Sequence, residues 1–219
     1  MNNPIKDMRL TNAPGGDVTQ WFGENPELYS RWGMLYHNGI DLVRAHGEPM
    51  FAIENATVVE VKNDPNGFGK HVRLISLDAD KSGYCREWTY GHCSMIFVQQ
   101  NDVVKGGEHI ANMGNTGFVV SGATPFWKVN PYAGTHLHLG LRRVKLGTKS
   151  GWKYPGSNLP KMTVKDYENG VRGAIDPVPY LNKSKPNHQL DNLKQQASLL
   201  QKAVELLSQL VKLRKDVVK

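Results

Sequence analysis

Cysteine is scarce in this chain of 219 residues, which contains only Cys85 and Cys93. Two cysteines are too few for the disulfide framework of a small secreted scaffold. Because Cys93 directly follows His92, a cysteine nucleophile paired with His136 is one interpretation. No oxyanion motif accompanies Cys93, so the favoured interpretation is that both cysteines are small apolar residues of a core.

Long apolar runs are absent as well. The segment from Met1 to Asp7 contains none, which argues against a signal peptide, and no stretch of the sequence is long enough to span a membrane. If the protein acts outside a membrane, we therefore expect another route of delivery or release.

Extremes of charge and polarity are also missing. Charged residues make up 21% of the chain and hydrophobic residues 39%, which excludes a disordered protein. The length suits one decorated domain with a real core. A net charge of +7 favours an anionic surface or polymer as a partner, but it does not specifically indicate nucleic acid. The alternative is that the charge serves solubility alone.

Short apolar stretches between glycine, asparagine and proline turns are frequent up to Val144, which predicts an antiparallel, mainly β domain. The sequence after Gly147 is irregular until a proline-rich closure at Asp176–Leu181. The predicted strands are Val18–Phe22, Ile40–Leu42, Pro49–Ala52, Ala56–Val61, His71–Leu77, Tyr84–Tyr90, a short strand from Ile110 that a glycine turn ends by Gly117, and Thr135–Val144.

The C-terminal segment is of a different kind, because residues 189–218 contain no glycine and no proline. Leu193, Leu200 and Leu207 recur every seven residues, which predicts a long amphipathic α-helix. The helix would pack on the β domain or form a coiled coil or bundle with a partner copy, and the regular heptad favours the second. The predicted organisation is thus an irregular lead-in (1–17), a β domain (18–183) and a helix (184–219).

Two histidines alternate with leucines in the predicted strand Thr135–Val144. His136 and His138 therefore face one side of the sheet, while Leu137 and Leu139 face a core. Upstream, a turn at Asn38-Gly39 brings His37 close to Asp41, and Gly39 permits the tight backbone there. A catalytic zinc site needs three protein ligands, and the sequence supplies them as His37, Asp41 and one histidine of the pair. A neighbouring imidazole could act as the base or bind the oxyanion.

Four motifs follow one another in a familiar order. They are His37-Asn38-Gly39-Ile40-Asp41, Tyr90-Gly91-His92, Met113-Gly114-Asn115-Thr116-Gly117 and His136-Leu137-His138. With them the chain resembles the lysostaphin-like (LytM-type) zinc endopeptidases, which cut peptide bonds in bacterial peptidoglycan. The resemblance covers about Val18 to Val144.

The resemblance implies a role for each matching residue. The Zn²⁺ ligands are then His37, Asp41 and His138, and the paired catalytic histidines are His92 and His136. The resemblance does not assign which histidine of the pair is the base and which stabilises the transition state. It also implies an antiparallel sheet of the duplicated-hybrid-motif type with a groove walled by loops. The expected partner is peptidoglycan, and the expected place of action is the cell wall, reached by phage delivery or release. The alternative is a non-catalytic relative that binds the wall or regulates other proteins.

The chain departs from the family pattern in three places, one of which is that we find no separate wall-binding repeat in the sequence. Phe118–Gly134 is longer than the usual link between the Asn-Thr-Gly turn and the His-x-His strand. We expect it to form an aromatic wall of the groove, with Trp127 as the best candidate for a substrate contact. The C-terminal helix is not part of the peptidase core, and we expect it to mediate homo-oligomerisation or to anchor a partner.

Overall fold

The structure is a computed structural model of the chain, and it describes residues 1–121, 124–125 and 130–181. The chain divides into two units, Met1–Lys183 and Ser184–Lys219, and the architecture below is that of the first. Trp127 lies outside the described residues, so its predicted contact with substrate stays a prediction.

The described part of the chain is mainly β. In chain order its strands are β1 Val18–Gln20, β2 Gly39–Leu42, β3 Pro49–Phe51, β4 Ala56–Asp64, β5 Gly69–Ser76, β6 Cys85–Gly91, β7 Met95–Ile96, β8 Val103–Val104, β9 His109–Asn112, β10 Val120–Ser121, β11 Thr124–Pro125, β12 Leu137–Leu146 and β13 Met162–Val164. Its helical segments are α1 Pro26–Ser30 and a 3₁₀ turn at Val178–Tyr180.

The largest sheet is antiparallel and has the strand order β1-β2-β12-β6-β5-β4-β8, and β13 pairs with β12. A smaller sheet has the order β3-β9-β7, and β10 and β11 form a hairpin. Strand β12 lies between β2 and β6, so it is hydrogen-bonded on both sides. Its register sets His138 opposite Asp41 of β2 and opposite Gly91 of β6.

The main core lies on one face of the large sheet. Leu137, Leu139 and Leu141 of β12 are fully or almost fully buried, as the period-two pattern requires. Trp88 and Tyr90 are the largest fully buried side chains. The N-terminal lead-in forms no strand before Val18, yet Ile5 and Met8 belong to this core. The lead-in is therefore packed against the sheet.

Several sequence predictions differ from the structure in detail. The segment after Gly147 was predicted to be irregular, but it contributes β13, which pairs with the end of β12. The Phe118–Gly134 loop contains the β10–β11 hairpin. Both are short elements whose only strong signal is their pairing partner. Both cysteines are free and buried, which confirms the interpretation of them as core residues.

The predicted fold class needs one correction, because it included a long α-helix. Among the described residues the longest α-helix has five residues, so the fold there is an antiparallel β domain without a long helix. The predicted helix at 184–219 lies outside the described residues. A leucine heptad indicates which face a helix would bury, but most helix stability in proteins comes from packing that periodicity does not supply.

Candidate metal centre and groove

Three side chains converge where β2 and β12 pair. His37 precedes β2, Asp41 lies within it, and His138 is the Cα partner of Asp41 on β12. His37 Nε2 is 3.2 Å from Asp41 Oδ1 and 3.0 Å from His138 Nδ1, and His138 Nδ1 is 3.1 Å from Asp41 Oδ1. All three residues are buried, and they form a group that could hold a metal ion.

Hydrogen bonding fixes which nitrogen of His37 faces this centre. Its Nδ1 lies 3.0 Å from the carbonyl oxygen of Trp21, which can only accept, so Nδ1 donates there. In the neutral ring Nε2 then carries a lone pair and no proton. This lone pair faces the carboxylate oxygen of Asp41, so no hydrogen bond joins the two atoms. A backbone carbonyl that holds the outer nitrogen of a ligating histidine is a usual feature of metal sites.

The arrangement fits a bound cation better than it fits hydrogen bonds alone. His37 Nε2, Asp41 Oδ1 and His138 Nδ1 converge as three acceptor atoms that share at most the one proton of the neutral His138 ring. Tetrahedral zinc with bonds of about 2.0–2.2 Å sets its ligand atoms roughly 3.3–3.5 Å apart. The separations of 3.0–3.2 Å among the three donor atoms are close to that spacing.

The protonation states suit a metal as well. Burial alone would raise the pKa of Asp41, but the surrounding His136, His138 and His37 outweigh it and hold that pKa well below its usual value. Burial lowers the pKa of His138, although Asp41 opposes this shift. Asp41 is thus an anion and His138 is neutral, which are the forms in which these groups bind metals.

Two more imidazoles lie beside the three donor residues. His92 follows β6 with a left-handed φ of 62°, and its ring centroid is 4.6 Å from that of His136. His136 precedes β12 in a bridge with Gly114, and its Nε2 is 3.8 Å from Asp41 Oδ2. The structure therefore brings together all five residues that the sequence singled out.

Backbone carbonyls orient both of these rings. His92 Nδ1 donates to the carbonyl of Thr116 at 2.8 Å, and His136 Nδ1 donates to that of Gly134 at 2.7 Å. Each ring therefore has its Nε2 free to take a proton. Burial, with a further contribution from His136 and His138, lowers the pKa of His92 to about 3. His92 is accordingly neutral near pH 7.

The centre opens into a groove with a cavity volume of about 1290 Å³. Tyr29 and Trp32 line one wall, and Phe68 lines another. Trp32 contacts Phe118 edge to face, with ring centroids 5.4 Å apart. Phe118 thus contributes to the aromatic wall expected from the Phe118–Gly134 loop, whereas Phe126 of that loop lies outside the described residues.

The sequence missed a set of buried charges on the groove floor. Glu87 is fully buried and is paired with Arg73 and Arg142. His71 is also buried, and its Nε2 lies 3.1 Å from Glu60 Oε2. The alternation of charged residues in β5, β6 and β12 was visible, but which strands are neighbours was not.

Comparison with known proteins identifies the family. The sequence model described as "Peptidase family M23" matches residues 35–150, which is more than half of the chain. The chain belongs to peptidase family M23. The matched residues include His37, Asp41, His92, His136 and His138.

The sequence identity between this chain and individual curated proteins is moderate and covers only part of each chain. The chain is 35% identical over 121 residues to an uncharacterised metalloprotease of Haemophilus influenzae, an alignment that covers 52% of this chain and 22% of that protein. It is 35% identical over 82 residues to lysostaphin of Staphylococcus staphylolyticus, an alignment that covers 37% of this chain and 16% of that protein. The chain thus spans less than a quarter of the length of these curated relatives. Among solved structures, lysostaphin of Staphylococcus simulans aligns with 22% identity and a TM-score of 0.49, covering 78% of this chain and 52% of that one.

A search of the described residues for a helix long and apolar enough to cross a membrane found none.

Proposed function

We propose that this protein is a zinc-dependent endopeptidase that hydrolyses peptide bonds in bacterial peptidoglycan, in a cross-bridge or a stem peptide. The observation that carries the proposal is the convergence of His37, Asp41 and His138 beside two imidazoles with free Nε2 atoms, all in a groove of an M23 domain. A non-catalytic relative would have no need for all five groups in this arrangement.

His37, Asp41 and His138 would hold the Zn²⁺ ion, with His92 and His136 as the paired catalytic histidines. When bound, zinc supplies Lewis-acid chemistry that acidifies water and polarises the scissile carbonyl. Two imidazoles and one carboxylate give the ion three protein ligands, which is the usual number in catalytic zinc sites.

His92 and His136 would move the proton. Because each ring donates Nδ1–H to a backbone carbonyl, a proton from the attacking water can be taken only at Nε2. The ring that receives it becomes an Nε2–H donor, which can then pass the proton to the leaving amine or bind the oxyanion. The two rings are equivalent in this respect, and their division of labour stays open.

Peptidoglycan as the substrate is supported by family membership, by the relatives named lysostaphin, and by the net charge of +7, which suits an anionic polymer. Action at the cell wall, by phage delivery or after release, follows from that substrate. We assign the peptidase to residues 18–183.

The test is digestion of purified peptidoglycan sacculi of several chemotypes, with and without a chelator, with the products identified by mass spectrometry. We expect chelator-sensitive release of peptides with new termini, which also names the bond. The His138→Ala variant should lose metal and activity while the fold survives. His109→Ala, which changes an exposed histidine, should keep both.

Two results would contradict the proposal. Cleavage by His138→Ala at the wild-type rate would make the ligand assignment wrong. If wild-type protein with one zinc per chain binds sacculi of every chemotype but cleaves none, the protein is a binding or regulatory relative.

A further inference from the structure

The groove floor carries an ionic cluster beyond the metal centre, built around the buried Glu87. Arg142 donates to Glu87 Oε1 from Nε at 2.8 Å and also from Nη2, and Arg73 Nη1 is 3.3 Å from the same oxygen. Tyr154 Oη accepts from Arg142 Nη2 at 3.1 Å and from Arg73 Nη1 at 3.4 Å. The two guanidinium groups are thereby held together on one carboxylate.

The cluster lies in line with the metal centre. On β12, His138, Gly140 and Arg142 alternate onto the face opposite the leucine core, and all three line the groove. His138 and Arg142 are four positions apart along the strand, which is roughly 13 Å. Between them the floor is formed by Gly140 and its β6 partner Thr89, two small residues. An extended peptide along β12 would therefore reach Arg142 three or four residues from the scissile bond.

Positive charge is in excess at this end of the groove. Glu87 and Glu60 offset Arg142 and Arg73, because Glu60 Oε2 lies 3.0 Å from Arg73 Nε. Arg172 also lines the groove, and it forms no salt bridge with any residue that the structure describes. Arg172 is two residues from Ala174, which forms a bridge with Arg142.

Arg142 is held in an orientation that suits a ligand. Its hydrogen bonds to Glu87 and Tyr154 use Nε and Nη2. Among the described residues no hydrogen bond uses Nη1, so Nη1 can donate to a ligand. The ring of Trp152 lies 5.8 Å from its guanidinium carbon and packs edge to face on Tyr154. A guanidinium N–H that is held in place can donate a charge-assisted hydrogen bond to a carboxylate. Trp152 and Tyr154 lie beyond residues 35–150, so membership of the family does not account for them.

We propose that Arg142, supported by Arg73 and Trp152, forms a subsite for a carboxylate of the substrate peptide. This subsite selects peptides with a free carboxylate three or four residues from the cut bond over uncharged glycine bridges. The proposal rests on the proposed peptidase function and specifies its substrate class.

The test uses two purified cross-linked muropeptides that differ only in having their peptide carboxyl groups free or amidated. We expect wild-type, zinc-loaded protein to cleave the free acid with a kcat/KM about tenfold or more above that of the amide, the range of one charge-assisted hydrogen bond. Arg142→Gln should lose most of this preference by slowing cleavage of the acid only. Arg143→Gln is the matched control, because Arg143 is paired with Asp80 and does not line the groove.

Each outcome decides a different point. If wild-type protein cleaves both peptides equally, or if Arg142→Gln keeps the preference, the subsite does not exist, although the peptidase function stands. If wild-type protein cleaves neither peptide and no sacculus, the proposed function itself has failed. Should Arg142→Gln not fold, Arg142→Lys keeps a positive charge to pair with Glu87 but lacks the separate Nη1 donor, and an unchanged preference in that variant would also refute the subsite.

Discussion

Gly39 lies directly beneath the imidazole of His138. A Cβ added at Gly39 would be 2.7 Å from both Cε1 and Nε2 of that ring and 2.7 Å from the carbonyl oxygen of Leu139. The sequence suggested that Gly39 serves a tight backbone turn, but its φ is not among the positive values of the described residues. Glycine is needed at this position because the His138 ring occupies the space.

Gly39→Ala should therefore disturb the metal centre. The new methyl group forces the His138 ring away from Asp41, so we expect at least a tenfold loss of zinc affinity with a proportional loss of peptidase activity. Zinc content by mass spectrometry and competition with a chromophoric chelator would measure this. Gly140→Ala is the control, because its nearest neighbour would be 3.4 Å away, an ordinary contact. Equal zinc affinity in both variants would contradict the steric interpretation.

His92→Ala and His136→Ala should separate catalysis from metal binding. Each variant removes one proton-transfer group, so we expect kcat to fall by about 10²–10⁴-fold while one zinc per chain is retained. Activity on sacculi and zinc stoichiometry are measured on the same preparations, with the exposed His46→Ala as control. Loss of zinc from either variant would make that residue a ligand, and full activity would remove it from the mechanism.

Gly69→Ala should destabilise the loop that orients His92. A Cβ at Gly69 would be 2.3 Å from the carbonyl carbon of Thr116, whose oxygen accepts the Nδ1–H of His92, and φ at Gly69 is +61°. We expect the free energy of unfolding to fall by roughly 3 kcal/mol or more through overpacking and backbone strain. Gly83→Ala has a similar φ of +75° but nothing within 4 Å, so it should cost only about 1–2 kcal/mol. Urea titrations of both variants would measure the difference, and equal losses would show that strain alone is responsible.

Glu60 should contribute to the acid sensitivity of the fold. Burial by itself raises its pKa, but hydrogen bonding to His71 and the charge of Arg73 outweigh burial, and the net shift is downward from 4.5. The stabilisation is thus complete above about pH 4.5 and is lost as the pH falls through the lower, folded-state pKa. Glu60→Gln should therefore flatten the decline of unfolding free energy below pH 4.5, measured by urea titration in chelator. The exposed Glu27→Gln should leave the decline unchanged, and a decline in Glu60→Gln as steep as in wild type would contradict the assignment.

The metal centre could be predicted because its signals are local. His37 and Asp41 are four residues apart around a turn, and His136 and His138 alternate on a strand, so short-range geometry already suggests convergence. The choice of His138 over His136 as ligand came from the family resemblance. The structure adds the hydrogen bonds of His37 to Trp21 and of His92 to Thr116, which join residues far apart in the sequence.

The rest of the groove could not be predicted in the same way. Glu87 is on a half-polar strand, and only the pairing of β6 with β5 and β12 shows that its side chain meets two arginines. Trp32 and Phe118 come from separate loops, and their contact depends on how both loops pack. Strand β13 is three residues long, and its pairing with the end of β12 defines it.

If His37, Asp41 and His138 bind the metal as proposed, metal supply also affects the lifetime of the protein. His37 and His138 are 101 residues apart, so their donor atoms meet only in the folded chain. A cation held by them acts as a crosslink between β2 and β12 and adds about 2.7 kcal/mol to the unfolding free energy at one hundred times its Kd. In a metal-poor compartment the domain would be idle and also easier for proteases to open. The same free-metal concentration would then govern both the turnover and the survival of the protein.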